Sequence, residues 1–251
     1  MLKTWAIGDI HGNFKGLKQA LDRAEVNYEN DTVIQLGDVV DGHSETFECV
    51  EELLKIKNLI CLRGNHDQWF VDYLNSGFHA DHWIQGGFNT AKSYSKQLGR
   101  DHLLHKGIQG YFIGLLPEDV PMSHWHFFSY QHLYYIDDMN RLFVHAGYNR
   151  KKTISATKWQ NPEIFYWDRD LMNQAMSCKQ GILRTKDKFK EIFIGHTTTQ
   201  IWGTTDPIMR GGVINLDTGG GSFGKITIMN VETHEFFQSD LASELYPDYK
   251  C

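Results

Sequence analysis

Six polar residues in this chain stand at or just past the ends of short apolar runs, and their types suit a divalent cation. Asp9 and His11 follow Trp5-Ala6-Ile7 in the run Gly8-Asp9-Ile10-His11-Gly12, and Asp38 follows Val33-Ile34-Gln35-Leu36-Gly37. Asn65 follows Leu59-Ile60-Cys61-Leu62-Arg63-Gly64, His145 follows Leu142-Phe143-Val144, and His196 follows Ile192-Phe193-Ile194-Gly195. Carboxylate and imidazole suit first-row divalent metals, and six such ligands exceed what one ion with an open coordination position needs. Two ions sharing one ligand account for the whole set.

A carboxylate can bridge two ions through its two oxygens, and Asp38 lies between the Asp9/His11 pair and the later ligands. Two cations about 3.5–4 Å apart acidify a bridging water and clamp a phosphoryl group, which yields a hydroxide nucleophile at neutral pH. Departure of the leaving group then calls for a proton donor. His66 adjoins Asn65 but is spare as a ligand, and Asp41, three residues past Asp38, can orient its ring; an imidazole held by a carboxylate is a general acid.

Residues this far apart need elements that bring them together. Short apolar runs read as buried parallel strands, and in open α/β sheets ligands bind beyond the carboxyl ends of the strands. After Gly12, Phe14, Leu17, Ala20, Leu21 and Ala24 recur at helical spacing and predict a helix over about 13–25. Phe47, Val50, Leu53 and Leu54 predict a second helix, and Trp69, Phe70, Tyr73 and Leu74 a third that stops at Asn75-Ser76-Gly77. Three strand-to-helix units in succession argue an α/β fold.

Over 78–116 the pattern changes: aromatics and glycines up to Tyr94, which pack in a core or cap a pocket, precede a mostly helical stretch. Segments 129–135 and 141–144 read as two antiparallel strands around a turn at Asp137-Asp138-Met139-Asn140. Segment 149–184 reads as loop plus helix, and 211–231 as two strands around Thr218-Gly219-Gly220-Gly221-Ser222. No linker or repeat interrupts the 251 residues, which predicts one domain spanning 1–251.

Composition narrows the partners. Hydrophobic residues at 41% and charged residues at 22% are those of a globular domain, too apolar for a disordered chain. No apolar run approaches bilayer length, so no membrane partner is expected, and the first strand begins so near Met1 that no signal peptide fits; a cytoplasmic location is the expectation. Cys49, Cys61, Cys178 and Cys251 show no paired spacing and read as reduced thiols. The formal net charge is −6 and Arg150-Lys151-Lys152 is the longest basic cluster, so no nucleic-acid partner is expected.

Taken together, GDIHG, GDVVDG, RGNHD, His145-Ala146-Gly147 and Gly195-His196-Thr197 resemble the calcineurin-like metallophosphoesterases, in particular the serine/threonine phosphoprotein phosphatase branch with its small bacterial and phage members. The resemblance implies an α/β fold of two β-sheets packed as a sandwich and flanked by helices, a four-layer arrangement. It implies a binuclear centre of two divalent ions, Mn foremost with Fe or Zn as alternatives. Asp9 and His11 would bind the first metal, Asp38 would bridge, and Asn65, His145 and His196 would bind the second, with His66 as general acid and Asp41 as its partner. Trp167-Asp168-Arg169 resembles the segment whose arginine contacts the substrate phosphate, and Asp217-Thr218-Gly219 resembles the closing strand.

The implied activity is phosphomonoester hydrolysis, on phosphoserine, phosphothreonine or phosphotyrosine in proteins or on a small phosphoester. Symmetrical dinucleoside tetraphosphate hydrolysis is the alternative, ahead of a phosphodiesterase or a non-catalytic binding module. One departure stands out: the family's GDxVDRG has an arginine that grips phosphate where this chain has Gly42, followed by His43. Loss of a bidentate guanidinium changes which esters bind well. His43 is either a substitute donor or an exposed loop histidine, and the latter is the expectation. Arg63 is expected to brace its loop, and the pairs His79/His82, His102/His105 and His124/His126 to lie at the surface or at pocket edges.

Overall fold

The computed structural model describes residues 2–78, 86–99, 104–107, 110–178 and 181–248, with backbone only for 104–107 and 110–113. The strands are β1 Thr4–Ile7, β2 Thr32–Gln35, β3 Asn58–Cys61, β4 Leu104–Gly107, β5 Gly110–Ile113, β6 Tyr134–Ile136, β7 Leu142–Val144, β8 Ile192–Ile194, β9 Ile208–Arg210, β10 Val213–Asn215, β11 Thr227–Asn230 and β12 Phe236–Gln238. The helices are α1 Phe14–Arg23, α2 Thr46–Leu53, α3 Asn65–Ser76, α4 Gly87–Gln97, α5 Met122–Ser129, α6 Ile154–Gln160, α7 Ile164–Trp167, α8 Asp170–Ser177 and α9 Ala242–Leu245.

Two five-stranded sheets form, in the orders β12-β11-β1-β2-β3 and β6-β7-β8-β10-β9. Within the first, β1, β2 and β3 run parallel; within the second, β7, β8 and β10 do. The remaining strands pair antiparallel. Strand residues alternate between two apolar layers, which is why the runs read as continuously hydrophobic. Trp5, Ile7 and Val33 face α1, α2 and α3, whereas Ala6 and Ile34 face the second sheet. Phe143 and Phe193 stack at 4.8 Å between the sheets, and Leu171, Met172 and Ala175 of α8 cover the far side. The result is the expected sandwich flanked by helices.

This arrangement points the carboxyl ends of six parallel strands at one edge of the sandwich. Five were legible as strand-to-ligand junctions; the sixth is β10, which leads to Asp217. The expected first three helices form, α1 and α2 a little shorter than read, and α3 ends at Gly77, whose φ of 66° is the left-handed stop that glycine favours.

Several expectations fail in detail. Among the described residues of 78–116, the stretch after Tyr94 is not mostly helical: α4 is followed by the hairpin β4–β5 with Leu104 opposite Ile113. A capping role for the segment 79–85 lies outside the described residues. The earlier of the two strands expected in 129–144 is shorter, beginning at Tyr134, because Leu62 and His132 form only an isolated bridge. The described residues of 149–184 carry three short helices, and β9 and β12, three residues each, carry too little pattern to have been read.

Candidate metal centre

The loops that follow the parallel strands are held in unusual backbone conformations. His11, Asp38, Asp41 and His196 all have positive φ, of 50°, 56°, 67° and 66°. A non-glycine residue there costs on the order of 1–3 kcal/mol and persists only where its surroundings fix it, a pattern concentrated at functional sites. Here hydrogen bonds fix it: His11 N donates to Asp38 O at 2.9 Å, and His43 N donates to His11 O at 2.8 Å.

These loops place the expected ligands together. His11 Nε2 is 3.9 Å from Asp9 Oδ2 and 3.6 Å from Asp38 Oδ2, and His145 Nε2 is 3.3 Å from Asp38 Oδ2 and 3.3 Å from Asn65 Oδ1. Ligand atoms of Asp38, His145 and His196 lie within 4.8 Å of one another, as do those of His11, Asp38 and His66. Asp38 belongs to both groups, the position a bridging carboxylate needs. All six expected ligands therefore meet at one place.

Two of the imidazoles are aimed by their other nitrogen. His11 Nδ1 donates to Val40 O at 3.0 Å and His145 Nδ1 to Leu36 O at 2.8 Å, leaving Nε2 of both directed at the carboxylates. Such bonds set the tautomer and orientation of ligating histidines. His196 Nε2 is buried and has no hydrogen-bond partner among the described residues; a lone pair so placed fits a cation. Carboxylates are also tied across the sandwich, since His196 N donates to Asp9 Oδ2 at 3.1 Å and His66 N to Asp38 Oδ1 at 3.0 Å. Gly195 and Gly64 permit this approach: a Cβ on either would collide with Asp9 Oδ1 or Asp38 Oδ1.

The electrostatics agree with a cation site. Burial, then the charge of Asp217, pushes the Asp9 carboxyl well above the usual range. For Asp38 burial acts upward, but the rings of His145, His66 and His11 outweigh it and hold it well below. Burial opposes charge on His145, yet Asp38 and Asp9 raise it to about 10. Two buried carboxylates that favour charge on a neighbouring imidazole mark a place where positive charge is stabilised.

His66 stands beside this cluster. Its Nδ1 donates to Asp41 Oδ2 at 2.7 Å, and although burial acts against its charge, Asp38 and Asp41 raise it to about 9. Thr90 of α4 completes the arrangement, because Asp41 N donates to Thr90 Oγ1 at 2.8 Å and Thr90 Oγ1 donates to Asp41 Oδ1 at 2.7 Å. Arg169, just before α8, reaches the same place and donates from Nη1 to Thr197 Oγ1 at 3.1 Å. A crevice of about 580 Å³ opens over the cluster, lined by His11, His66, Arg169, His196 and Asp217 among others.

Two sequence readings are corrected here. His43 is neither an exposed loop residue nor a donor to the crevice: it is 1% exposed and stacks on Tyr246 at 4.3 Å. Burial and the nearby His11 lower it to about 4, so it is neutral near pH 7. His124 is not at the surface but buried, linked to Tyr94 Oη at 2.9 Å and Glu51 Oε1 at 2.8 Å. His79, His82 and His102 lie outside the described residues. Arg63 does brace its loop, donating to Phe128 O at 2.7 Å and to Gln68 Oε1 at 3.0 Å.

Three supporting residues escaped the sequence reading. Asp67 is buried and accepts from Asp38 N, Val39 N and Gln131 Nε2, each at 2.9 Å, and from Gly64 N at 3.2 Å. Its signal was present, an acidic residue three positions after Gly64, the residue that caps the start of α3. Gln35 clamps the Gly37 turn, accepting from Gly37 N at 3.0 Å and donating to Gly37 O at 2.7 Å. Thr90 gave no signal, because its partner is 49 residues away.

The fold and this edge-of-sandwich cluster define a metallophosphoesterase architecture. A family model for calcineurin-like phosphoesterases matches residues 2–200, and the chain belongs to that family. It is similar to serine/threonine-protein phosphatase 1 of Salmonella typhimurium, 30% identical over 34% of this chain and 38% of that protein. It is also similar to a symmetrical bis(5'-nucleosyl)-tetraphosphatase of Pseudomonas entomophila, 37% identical over 26% of this chain and 24% of that protein. The matched stretch thus spans well under half the length of these relatives. A solved structure provisionally assigned as a diadenosine tetraphosphatase shares the fold, with a TM-score of 0.62 at 14% identity over 94% of this chain and 92% of that one.

Proposed function

We propose that this chain is a metal-dependent phosphoric ester hydrolase acting on phosphomonoesters, on phosphoserine, phosphothreonine or phosphotyrosine in proteins or on a small phosphoester. One observation carries the reading: the carboxylate Asp38, shared between two ligand groups, lies within reach of a histidine, His66, whose other nitrogen is held by Asp41 at 2.7 Å. Asp9, His11 and Asp38 would hold one divalent ion and Asp38, Asn65, His145 and His196 a second, with Mn as the first choice and Fe or Zn as alternatives. Ions so held supply an acidified water and positive charge against the phosphoryl oxygens.

The protein groups do the rest. Arg169 faces the crevice and offers its guanidinium to the phosphoryl oxygens. His66 Nε2 gives a proton to the ester oxygen as the bond from phosphorus to the leaving group breaks, and Asp41 keeps the ring oriented and stabilises its charged form. Thr90 in turn fixes Asp41.

The alternative is hydrolysis of a symmetrical dinucleoside tetraphosphate, the activity named for one relative. Four linked phosphates carry at least four negative charges, and among the described residues lining the crevice Arg169 is the only lysine or arginine. That count favours a single phosphoryl group. Offering the Mn-supplied protein a phosphopeptide and diadenosine tetraphosphate in competition tests the choice: faster phosphate release from the peptide is expected, and preferential formation of adenosine diphosphate would reverse the assignment.

A further inference from the structure

Two indole rings beside the site have no part in the chemistry above. The ring of Trp69, one turn along α3 from His66, meets the His66 ring at 4.7 Å and 69°, and Trp167 at the end of α7 meets Trp69 at 5.5 Å. Trp167 also stands edge-on to the ring of His196, at 6.0 Å and 89°. The two indoles thus form a continuous wall from the proton donor to a metal-site histidine. Trp167 is 41% exposed although it touches two other rings. A large aromatic left accessible beside a reacting centre offers a face on which a ring can stack.

The leaving group must lie on this side. The ester oxygen takes its proton from His66, so the first atoms beyond that oxygen are next to the His66 ring and hence to Trp69. In an alkyl ester such as phosphoserine those atoms are one methylene and a backbone. In an aryl ester they are a whole ring, bonded directly to the oxygen. Trp167 lines a hollow with Glu163 and Ile164 next to the crevice, and Arg169 borders both, so the accessible indole lies beside the side chain that would hold the phosphoryl group.

We propose that Trp69 and Trp167 form a leaving-group subsite for the ring of an aryl phosphate, so that the chain selects aryl over alkyl monoesters, a phosphotyrosine-type ester over a phosphoserine-type one. The inference rests on the phosphomonoesterase reading and refines it. In the reaction water supplies a hydroxyl to phosphorus as the phosphorus–oxygen bond to the ring breaks, and water's remaining proton replaces the one that His66 delivers to the phenolate. Phosphate and a neutral phenol leave, with no other reactant.

The test compares phenyl phosphate with an alkyl phosphate of matched leaving-group acidity, using full-length Mn-supplied protein, wild type, Trp167→Ala and Trp167→Phe. The aryl-to-alkyl ratio of kcat/KM should fall about 3- to 10-fold in Trp167→Ala, the size found for aromatic pairs, and recover in Trp167→Phe. An unchanged ratio overturns the subsite. A second readout does not depend on turnover: phenylphosphonate, followed by quenching of tryptophan fluorescence, should bind wild type tighter than methylphosphonate, read by its competition. Trp167→Ala should lose that advantage. Equal binding of the two phosphonates by wild type overturns the proposal, even if both esters are hydrolysed. Hydrolysis of neither ester would count against the phosphatase reading instead, and the phosphonates would still decide the subsite.

Discussion

Asp67→Asn is the substitution that most sharply probes how the site is held. The carboxylate is fully buried; its Oδ2 accepts from Asp38 N, Gly64 N and Gln131 Nε2, and its Oδ1 from Val39 N at 2.9 Å and Val40 N at 3.3 Å. It therefore joins the loop after β2 to the start of α3, the two segments that carry Asp38, Asn65 and His66. Asparagine has one acceptor oxygen and an amide that donates. With the oxygen placed at the three-donor position, the amide faces Val39 N and Val40 N, and two buried N–H groups lose their partner. Each such group costs about 1–3 kcal/mol. Some of this is returned, because burial and the neighbouring Asp38 charge push the Asp67 carboxyl up and an amide carries no charge to bury. A net loss of about 3 kcal/mol follows, which for a chain of this size corresponds to a fall in Tm of roughly 6–12 °C. Urea denaturation followed by circular dichroism measures the first quantity, and Mn titration measures a second, a 10- to 100-fold loss of affinity of the kind seen when groups behind metal ligands are removed. A variant within about 0.5 kcal/mol of wild type with unaltered Mn affinity would refute this assignment.

Three further outcomes are expected. Asp31 accepts from Lys3 N at 3.1 Å, Trp5 Nε1 at 3.0 Å and Asn27 N at 3.0 Å; burial pushes its carboxyl up, but these donors and the Lys3 charge leave it below the usual range. A folded-state value below the unfolded value of about 3.9 gives stability that is present above that pH and lost as pH falls further, so Asp31→Asn should cost about 1–2 kcal/mol at pH 7 and progressively less below about pH 4, checked by chemical denaturation at several pH values. Gly195→Ala places a methyl against Asp9 Oδ1 and should lower Mn affinity at least 10-fold by displacing that carboxylate, measured by calorimetric titration. Gly42→Arg should not improve KM for p-nitrophenyl phosphate, because φ at Gly42 is +72° and a Cβ there would lie 2.9 Å from His11 Cβ and 3.2 Å from Gly221 O; a lower KM would show that the loop accepts the side chain after all.

Much of this site is legible in the amino-acid sequence, for a physical reason. A buried parallel strand must be apolar on both faces and must end at a polar loop, so each junction marks itself along the chain. That held for the ends of β1, β2, β3, β7 and β8, which carry Asp9, His11, Asp38, Asn65, His145 and His196. What was not legible is what holds the loops. Thr90 contacts Asp41 across 49 residues, and a threonine within a helix has no local mark of such a contact. His43 looked like an exposed loop residue because nothing local announces that Tyr246, near the other end of the chain, packs on its ring. The hairpin β4–β5 was missed because Leu104–Gly107 and Gly110–Ile113 are too short for a strand period to stand out from the helical residues before them.

The most direct measurement is hydrolysis of p-nitrophenyl phosphate and bis-p-nitrophenyl phosphate by the metal-stripped protein with Mn added back, beside His66→Asn and Asp38→Asn. Mn-dependent release of p-nitrophenol from the monoester, lost in both variants, is the expected result. Preference for the diester would replace the phosphomonoesterase assignment with a phosphodiesterase. Absence of metal-dependent turnover on either ester would contradict the catalytic assignment and point to a binding module built on the same fold.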